Sequence, residues 1–298
     1  MAVLTAQGIA RVAIPLITRS LVLGRTVTMV PAAGFTGPNG ETITVRVRKP
    51  RSARTQATAG SSITYDDQNE VAVEVTLSHL YDAYHVTDED LSLNLEDFAS
   101  QISAPQAAAV ATGAEDALAT AMNDLAVDAE FAASATADDT KATILGARET
   151  LGEADVPAGD RFLAVSPSIA TRLLSLDELI RVDASGADSA LRDAIIGRYL
   201  GFTVVESNGL DTDTAVAYHR SGFVWANKLP STPRGANETA TVSRDGVNIR
   251  QIFQYDPDVL SDASVLSTFA GAAAVHDEDS PASGSDYPRI VKLGVASS

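Results

Sequence analysis

The sequence contains no cysteine, and this absence removes several classes of protein at once. Without a thiol there is no disulfide scaffold, cysteine-ligated zinc site, iron–sulfur cluster or cysteine nucleophile. The chain also has no HExxH, GxxxxGK[ST], GxGxxG or GxSxG motif. Because it holds 39 carboxylates, neighbouring acids arise by chance and do not mark a catalytic pair. We therefore expect no enzyme, no cofactor and no metal site.

Basic side chains are few. The 298 residues include 22 Lys and Arg against 39 Asp and Glu, a net charge of −17. A free-standing nucleic-acid-binding protein is usually basic, so this class is disfavoured. No apolar run reaches the roughly 18 residues needed to span a bilayer, and we expect no membrane partner. The 45% of hydrophobic residues is typical of a folded chain.

The charge is distributed unevenly along the chain. Residues 1–65 hold eight basic side chains and one acid, whereas residues 66–298 hold 14 basic and 38 acidic side chains, a net charge of −24. Five basic residues form what we call the basic cluster: Arg46, Arg48, Lys49, Arg51 and Arg54. A basic arm on an acidic body can dock on another copy or bind a polyanion. A solvated basic loop is the simplest alternative.

Residues 41–77 have the pattern of a long β-hairpin with arms of about 18 residues. Two segments, 41–50 and 70–80, alternate apolar and polar residues at period two, which is typical of half-exposed strands. The polar stretch 51–69 separates them. Fully extended, each arm would reach about 60 Å, whereas a globule of this size has a radius of gyration of about 19 Å. We therefore expect the hairpin to project, with its apolar face (Ile43, Val45, Val71, Val73) buried on a partner.

The rest of the chain mixes helices and strands. Residues 95–126 predict a helix about 48 Å long, which Pro105 would kink or divide. After residue 137 the pattern alternates between helices and strands, and it includes a helix over 190–199. The expected class is α+β.

Four segments then carry a resemblance to a known family. The segment VTLSHLYDAYHVTDEDLSLNLEDFASQISAPQAAAVATGAEDAL (75–118) is followed by RFLAVSPSIATRLL (161–174), IIGRYLGFTVVESNGL (195–210), and VAYHRSGFVWA with RQIFQYD (216–226, 250–256). In this order they resemble the major capsid proteins of tailed bacteriophages, which have the Hong Kong 97-like fold. The short-tailed-phage coat protein branch is the most similar.

The resemblance implies a domain organisation. It comprises an N-terminal arm (1–40), an extended β-hairpin loop (41–78), a peripheral domain with a long spine helix (79–136), an α/β axial domain (137–225) and a return to the peripheral domain (226–298).

The resemblance also implies a structural role in a virion capsid assembled in the host cytoplasm. Copies would form pentamers and hexamers of an icosahedral head around double-stranded DNA, without sequence-specific binding, together with scaffold, portal and decoration proteins. The basic cluster would contact a neighbouring subunit, and we expect its acidic partners on the long helix: Glu96, Asp97, Glu115 and Asp116. Two alternatives stay open: an encapsulin-type compartment shell, and a nucleic-acid-binding protein that uses residues 46–54.

Overall fold

The computed structural model describes residues 22–30, 42–48, 53–56, 58–60, 62–65, 70–87, 102–132, 137–175, 195–234, 238–244, 247–256, 258, 261–277 and 287–296. Its strands are β1 (Thr28–Val30), β2 (Thr42–Arg48), β3 (Glu70–Thr76), β4 (Ser78–Thr87), β5 (Ala129–Phe131), β6 (Arg161–Val165), β7 (Ile195–Tyr199), β8 (Phe202–Glu206), β9 (Ala215–His219), β10 (Phe223–Lys228), β11 (Glu238–Arg244), β12 (Val247–Asp256), β13 (Ser261–Ala274) and β14 (Ile290–Val295). Its α-helices are α1 (Ala104–Asn123), α2 (Ala137–Glu153) and α3 (Pro167–Leu174). The expected α+β class is confirmed.

The predicted hairpin is present as the antiparallel pair β2 and β3. Ile43 lies opposite Val75 and Val47 lies opposite Val71, so the apolar residues of both strands share one face. This face packs on the chain's own body: Val73 and Val75 are buried in a cluster with Val224 of β10. Val71 is buried within the chain as well, so the expectation that a partner buries this face is wrong for Val71 and Val73.

Sheet 1 (β1, β4 and β10–β13) is organised around β13, a strand of 14 residues. β4 lies along one edge, while β12 and then β10 pair with successive parts of the other edge. The C-terminal end of β13 has little strand propensity, because residues 270–274 are all glycine or alanine, which are depleted in strands.

Helix α1 covers one face of sheet 1. Its small apolar residues pack against Leu266 and Ala270 of β13. Gln106 and Ser264 bond each other twice: the Gln106 amide donates to the Ser264 carbonyl at 3.0 Å, and the Ser264 hydroxyl donates to the Gln106 side-chain oxygen at 3.0 Å. The described α-helix runs over 104–123, about 30 Å. It therefore ends before residue 126, and Pro105 lies in its first turn, where proline is tolerated.

Sheet 2 has the strand order β5–β14–β9–β6–β8–β7, and α2 and α3 contribute to its core. The expected helix over 190–199 is wrong in its described part, because residues 195–199 form β7. Leu200 and Gly201 both have positive φ, 49° and 92°, and join β7 to β8 as a two-residue hairpin turn. Residues 190–194 lie outside the described part.

Two buried cations cap helix C-termini. The Arg161 guanidinium donates to the carbonyl oxygens of Arg148 and Leu151 in α2, and to those of Val156 and Pro157 beyond it. The Lys292 ammonium donates to the carbonyl oxygens of Asn123 and Leu125 at the end of α1, at 2.6 and 2.8 Å. Cations suit these positions because the last carbonyls of a helix are unpaired and carry partial negative charge.

Candidate functional site

The hairpin presents part of the basic cluster to solvent. The Arg46 and Arg48 side chains are 78% and 81% exposed on the polar face of β2. Both approach the Glu70 carboxylate, at 3.6 and 3.9 Å. Exposed pairs of this kind contribute roughly 0–1 kcal/mol, and one carboxylate cannot neutralise two cations. Glu74, opposite Thr44 on the same face, is a second acid, so the described part of this face carries no net charge.

The tip of the hairpin is solvent-exposed throughout its described part. Every described residue between 53 and 65 is exposed, including Arg54 of the basic cluster. The tip also carries Ile63 and Tyr65, whose exposed fractions are 59% and 85%. Lys49 and Arg51 lie outside the described residues.

An acidic cleft lies beside α1, with a volume of about 460 Å³. Its lining residues are Val22, Thr112, Glu115, Asp116, Glu206, Ser207, Asn208 and Gly209. The turn after β8 forms one wall. Gly209 lets this turn approach α1 closely, because a Cβ at position 209 would stand 2.8 Å from the Cβ of Ala119. Asn123 fixes the turn: its amide donates to the Gly209 carbonyl at 3.2 Å, and its side-chain oxygen accepts from the Asp211 N–H at 3.1 Å.

Glu115 is held in the cleft by a backbone hydrogen bond and by burial. Its Oε1 accepts a hydrogen bond from the Leu23 N–H at 3.3 Å. Burial raises the pKa of the Glu115 carboxyl; the N–H groups of Leu23 and Val22 oppose this, and the charge of Asp116 adds to it. Burial in the cleft therefore disfavours ionisation of Glu115. A cation placed in the cleft would stabilise the ionised carboxylate.

Two of the four acids expected as partners, Glu115 and Asp116, come together in this cleft. Glu206 joins them and was not predicted, because nothing in its local sequence indicates that the 207–209 turn brings it to α1. Glu96 and Asp97 lie outside the described residues. Within one chain, Arg46 and Arg48 pair with Glu70 and not with the cleft.

Other site types find no support in the part of the chain that the structure describes. There, no group of three histidine or acidic side chains is arranged to hold a metal ion. None of the described helices is long and apolar enough to cross a membrane.

The comparison with protein families gives one match. The family model described as phage capsid protein matches residues 95–280, more than half of the chain. That region contains all of α1, the acidic residues of the cleft and most of both large sheets. A search of the curated proteins finds no match.

Solved structures share the fold over nearly the whole chain. One from Mycobacterium phage Che8 is 21% identical, with a TM-score of 0.62, and the match covers 91% of this chain and 90% of that one. The capsid of cyanophage P-SCSP1u is 15% identical (TM-score 0.64; 92% and 87% covered). A virus-like particle from Pyrococcus furiosus is 12% identical (TM-score 0.55; 95% and 96% covered). Identities this low establish the fold alone.

Proposed function

This chain belongs to the phage capsid protein family, and we propose that many copies of it form the pentamers and hexamers of an icosahedral phage head that encloses double-stranded DNA. It is a structural major capsid protein and not an enzyme. The family match over residues 95–280 carries the proposal. The basic cluster supports it, because a basic segment (net +7 over residues 1–65) on an acidic body suits contact between identical copies.

The proposed domain organisation is Hong Kong 97-like. Sheet 1 without β1, together with α1, would form most of the peripheral domain (79–136 and 226–298), with α1 as the spine helix; β1 belongs to the arm. Sheet 2 with α2 and α3 would form the axial domain (137–225). β5 and β14 pair within sheet 2, so we assign these two strands to the axial domain as well. Residues 1–40 would form the arm and 41–78 the extended loop.

We propose that the basic cluster of one subunit contacts the acidic cleft of its neighbour. The contact joins two different surfaces, and a heterologous contact of this kind closes into rings when its rotation permits. Charge complementarity between the hairpin and Glu115 and Asp116 would set register and association rate more than affinity. Lys49, Arg51, Glu96 and Asp97 belong to this proposal by sequence alone.

The remaining partners follow from the same role. The shell would assemble in the host cytoplasm with scaffold and portal proteins, and with decoration proteins on its surface. The strongly acidic body, net −24 over residues 66–298, suits a container that encloses DNA without binding a particular sequence.

Size-exclusion chromatography with light scattering tests the proposal. We expect the wild-type protein, with scaffold where required, to elute far above the 31.0 kDa of one chain. Arg46→Glu combined with Arg48→Glu should reduce assembly, and Glu115→Arg with Asp116→Arg should restore it. The matched control Arg234→Glu changes an exposed arginine outside the hairpin and should assemble normally. A wild-type protein that stays monomeric with its scaffold would contradict the proposed function.

A further inference from the structure

Two of the connections between sheet 1 and sheet 2 lie side by side. The first is the 3₁₀ turn Arg220–Gly222, which leads from β9 of sheet 2 into β10 of sheet 1. The second leaves β13 of sheet 1 at residues 275–277 and enters β14 of sheet 2 from residues 287–289. We call these residues, together with His219, the junction.

Backbone contacts hold the two connections together. The Val275 N–H donates to the Gly222 carbonyl at 2.8 Å, and the His219 N–H donates to the Arg289 carbonyl at 3.0 Å. Gly222 permits this approach, because a Cβ at position 222 would stand 3.0 Å from the Arg289 carbonyl oxygen and 2.9 Å from the Ile290 Cγ1. A change in the orientation of one sheet on the other therefore has to displace these contacts.

A continuous row of side chains also crosses the junction. The Arg289 guanidinium pairs with the Asp277 carboxylate at 2.8 Å and donates to the Ser221 hydroxyl at 3.4 Å. The side chains of the ion pair are only about one-fifth exposed, 21% and 20%, so solvent screens it less than a surface pair. The Ser221 hydroxyl lies 2.8 Å from Nδ1 of His219. Because the hydroxyl accepts from Arg289, its own proton is available for Nδ1.

The neutral form of His219 is the form that fits this row. Its Nδ1 also accepts from the Ser221 backbone N–H at 3.2 Å, as the N-cap of the turn. A proton on Nδ1 turns this acceptor into a donor. The Ser221 N–H then loses its partner, and a positive charge appears two residues from the hydroxyl that Arg289 contacts.

The charges that face His219 come from two neighbouring elements. Asp160 and Arg161 lie at the start of β6, and Arg289 with its partner Asp277 lies on the second connection. Burial lowers the pKa of His219; Asp160 opposes this effect, and the two arginines add to it. The surroundings of the ring in the closed junction thus disfavour its protonation, in agreement with the hydrogen bonds.

The junction holds three further titratable side chains. Arg220 follows His219 in the chain and is exposed. His276 and Tyr287 pack on each other, with ring centroids 6.2 Å apart and ring planes at 89°. His276 therefore supplies a matched control, since it is a second histidine in the same junction with a different ring contact.

We propose that His219 is a pH-sensitive contact of the junction: its neutral ring holds the two sheets in one orientation, and its protonation releases the turn and lets the sheets reorient without unfolding. The proton comes from solvent and returns to it when the pH rises, so the change is reversible. A released, solvated ring binds the proton more readily than the ring in the closed junction. The population of the released state therefore grows as pH falls below the ordinary histidine pKa of about 6.5.

Distances between spin labels on the two sheets test the proposal in dissociated subunits. The chain has no cysteine, so two introduced ones carry the labels: Thr241→Cys on β11 of sheet 1 and Glu149→Cys on α2 of sheet 2, both exposed. We expect the distance between them to shift by about 2 Å or more, the scale of a domain rearrangement, as pH falls from about 7.5 to about 5. A pair within sheet 2, Glu149→Cys with Arg198→Cys, should show no shift. Circular dichroism confirms that the subunit stays folded.

His219→Asn should abolish the shift and keep the distance found at about pH 7.5. An asparagine oxygen accepts from a backbone N–H at an N-cap but does not titrate in this range. His276→Asn should leave the shift as in the wild type. A wild-type distance that ignores pH would overturn the proposal, and so would a shift that persists in His219→Asn or disappears in His276→Asn. None of these results depends on assembly, so the proposed function stands or fails separately.

NMR titration of the histidine rings is a second measurement that needs no labels. We expect His219 to titrate below the ordinary pKa of about 6.5, and Arg289→Gln to raise its pKa by removing a facing positive charge. The Ser221 amide should lose its protection from hydrogen exchange over the same pH range in which the His219 ring titrates. A His219 ring that titrates at or above 6.5, or a Ser221 amide whose protection ignores the titration, would overturn the proposal.

Discussion

Gly271 lies directly beneath Thr76. A Cβ at position 271 would stand 2.1 Å from the carbonyl oxygen of Thr76 and 3.3 Å from the Cα of Leu77. Here the chain leaves the hairpin and enters β4, crossing over β13. The glycine lets the backbone at the base of the hairpin rest on the central strand of sheet 1. The position of the hairpin relative to the body therefore depends on the absence of one methyl group.

Gly271→Ala should destabilise the subunit by about 3 kcal/mol or more, because the added methyl group would meet the Thr76 backbone and overpacking at a rigid site costs at least 1–3 kcal/mol. Urea denaturation of dissociated subunits measures this. Gly146→Ala is the matched control. Gly146 lies in α2, and a Cβ added there would have no atom within 4 Å, so the substitution should stabilise the subunit by about 1 kcal/mol. Equal effects of the two changes would contradict the close approach.

Arg161→Met should destabilise by about 2–4 kcal/mol, because carbonyl groups in α2 and just beyond it each lose one hydrogen bond in a largely buried position. Methionine keeps much of the volume, so the change reports on hydrogen bonding more than on packing. Chemical denaturation again gives the free energy of unfolding.

Arg148→Met is the control for the cap. Arg148 is exposed on α2 and donates one hydrogen bond, at 3.2 Å, to the Leu200 carbonyl. We expect a loss within about 1 kcal/mol, as for most surface changes. Similar losses for Arg161→Met and Arg148→Met would show that the capping contacts contribute little.

Glu115→Gln should make the subunit more stable at pH 7 but leave its stability at pH 4 nearly unchanged. Burial raises the pKa of Glu115 in the folded state, so the folded protein binds a proton more readily than the unfolded chain. This favours folding below the unfolded pKa, and the advantage is lost as pH rises through the folded pKa. Thermal melting across this pH range measures it. A stabilisation that is the same at both pH values would contradict the burial effect.

Glu70→Gln should make assembly faster at low salt and steepen its dependence on ionic strength. Arg46 and Arg48 share the Glu70 carboxylate, and neutralising it removes the negative charge beside both guanidinium groups. Salt screens the interactions between exposed charges, because the Debye length is only about 10 Å at 0.1 M ionic strength. Light scattering during assembly follows the rate. Glu74→Gln, on the same strand, is the control and should have a smaller effect. Identical rates for Glu70→Gln and wild type would show that hairpin charge does not steer association.

The hairpin was predictable because period-two alternation fixes both its strands and its register. Ile43, Val45 and Val47 match Val75, Val73 and Val71 in the structure. What covers this face was not predictable, because its partner strands β10 and β13 lie about 150–200 residues away and β13 itself has little strand propensity.

The acidic cleft likewise combines residues that the local sequence identifies with a residue that only the fold brings to it. Glu115 and Asp116 were predictable as acids on the face of a helix. Glu206 reaches them through a turn held by Asn123 and Gly209, and no local pattern encodes such a long-range contact. The sequence predicts a helix over 190–199, whereas residues 195–199 form β7 because the turn at Leu200 and Gly201 pairs them with β8 as a hairpin.

Electron microscopy of the purified protein, mixed with its scaffold where one is required, tests the central claim most directly. A major capsid protein should give closed shells of uniform size, or rings of five and six copies, at moderate salt. Particles that remain single subunits under these conditions would contradict the account, and the basic cluster would then be tested for nucleic-acid binding that weakens steeply with salt.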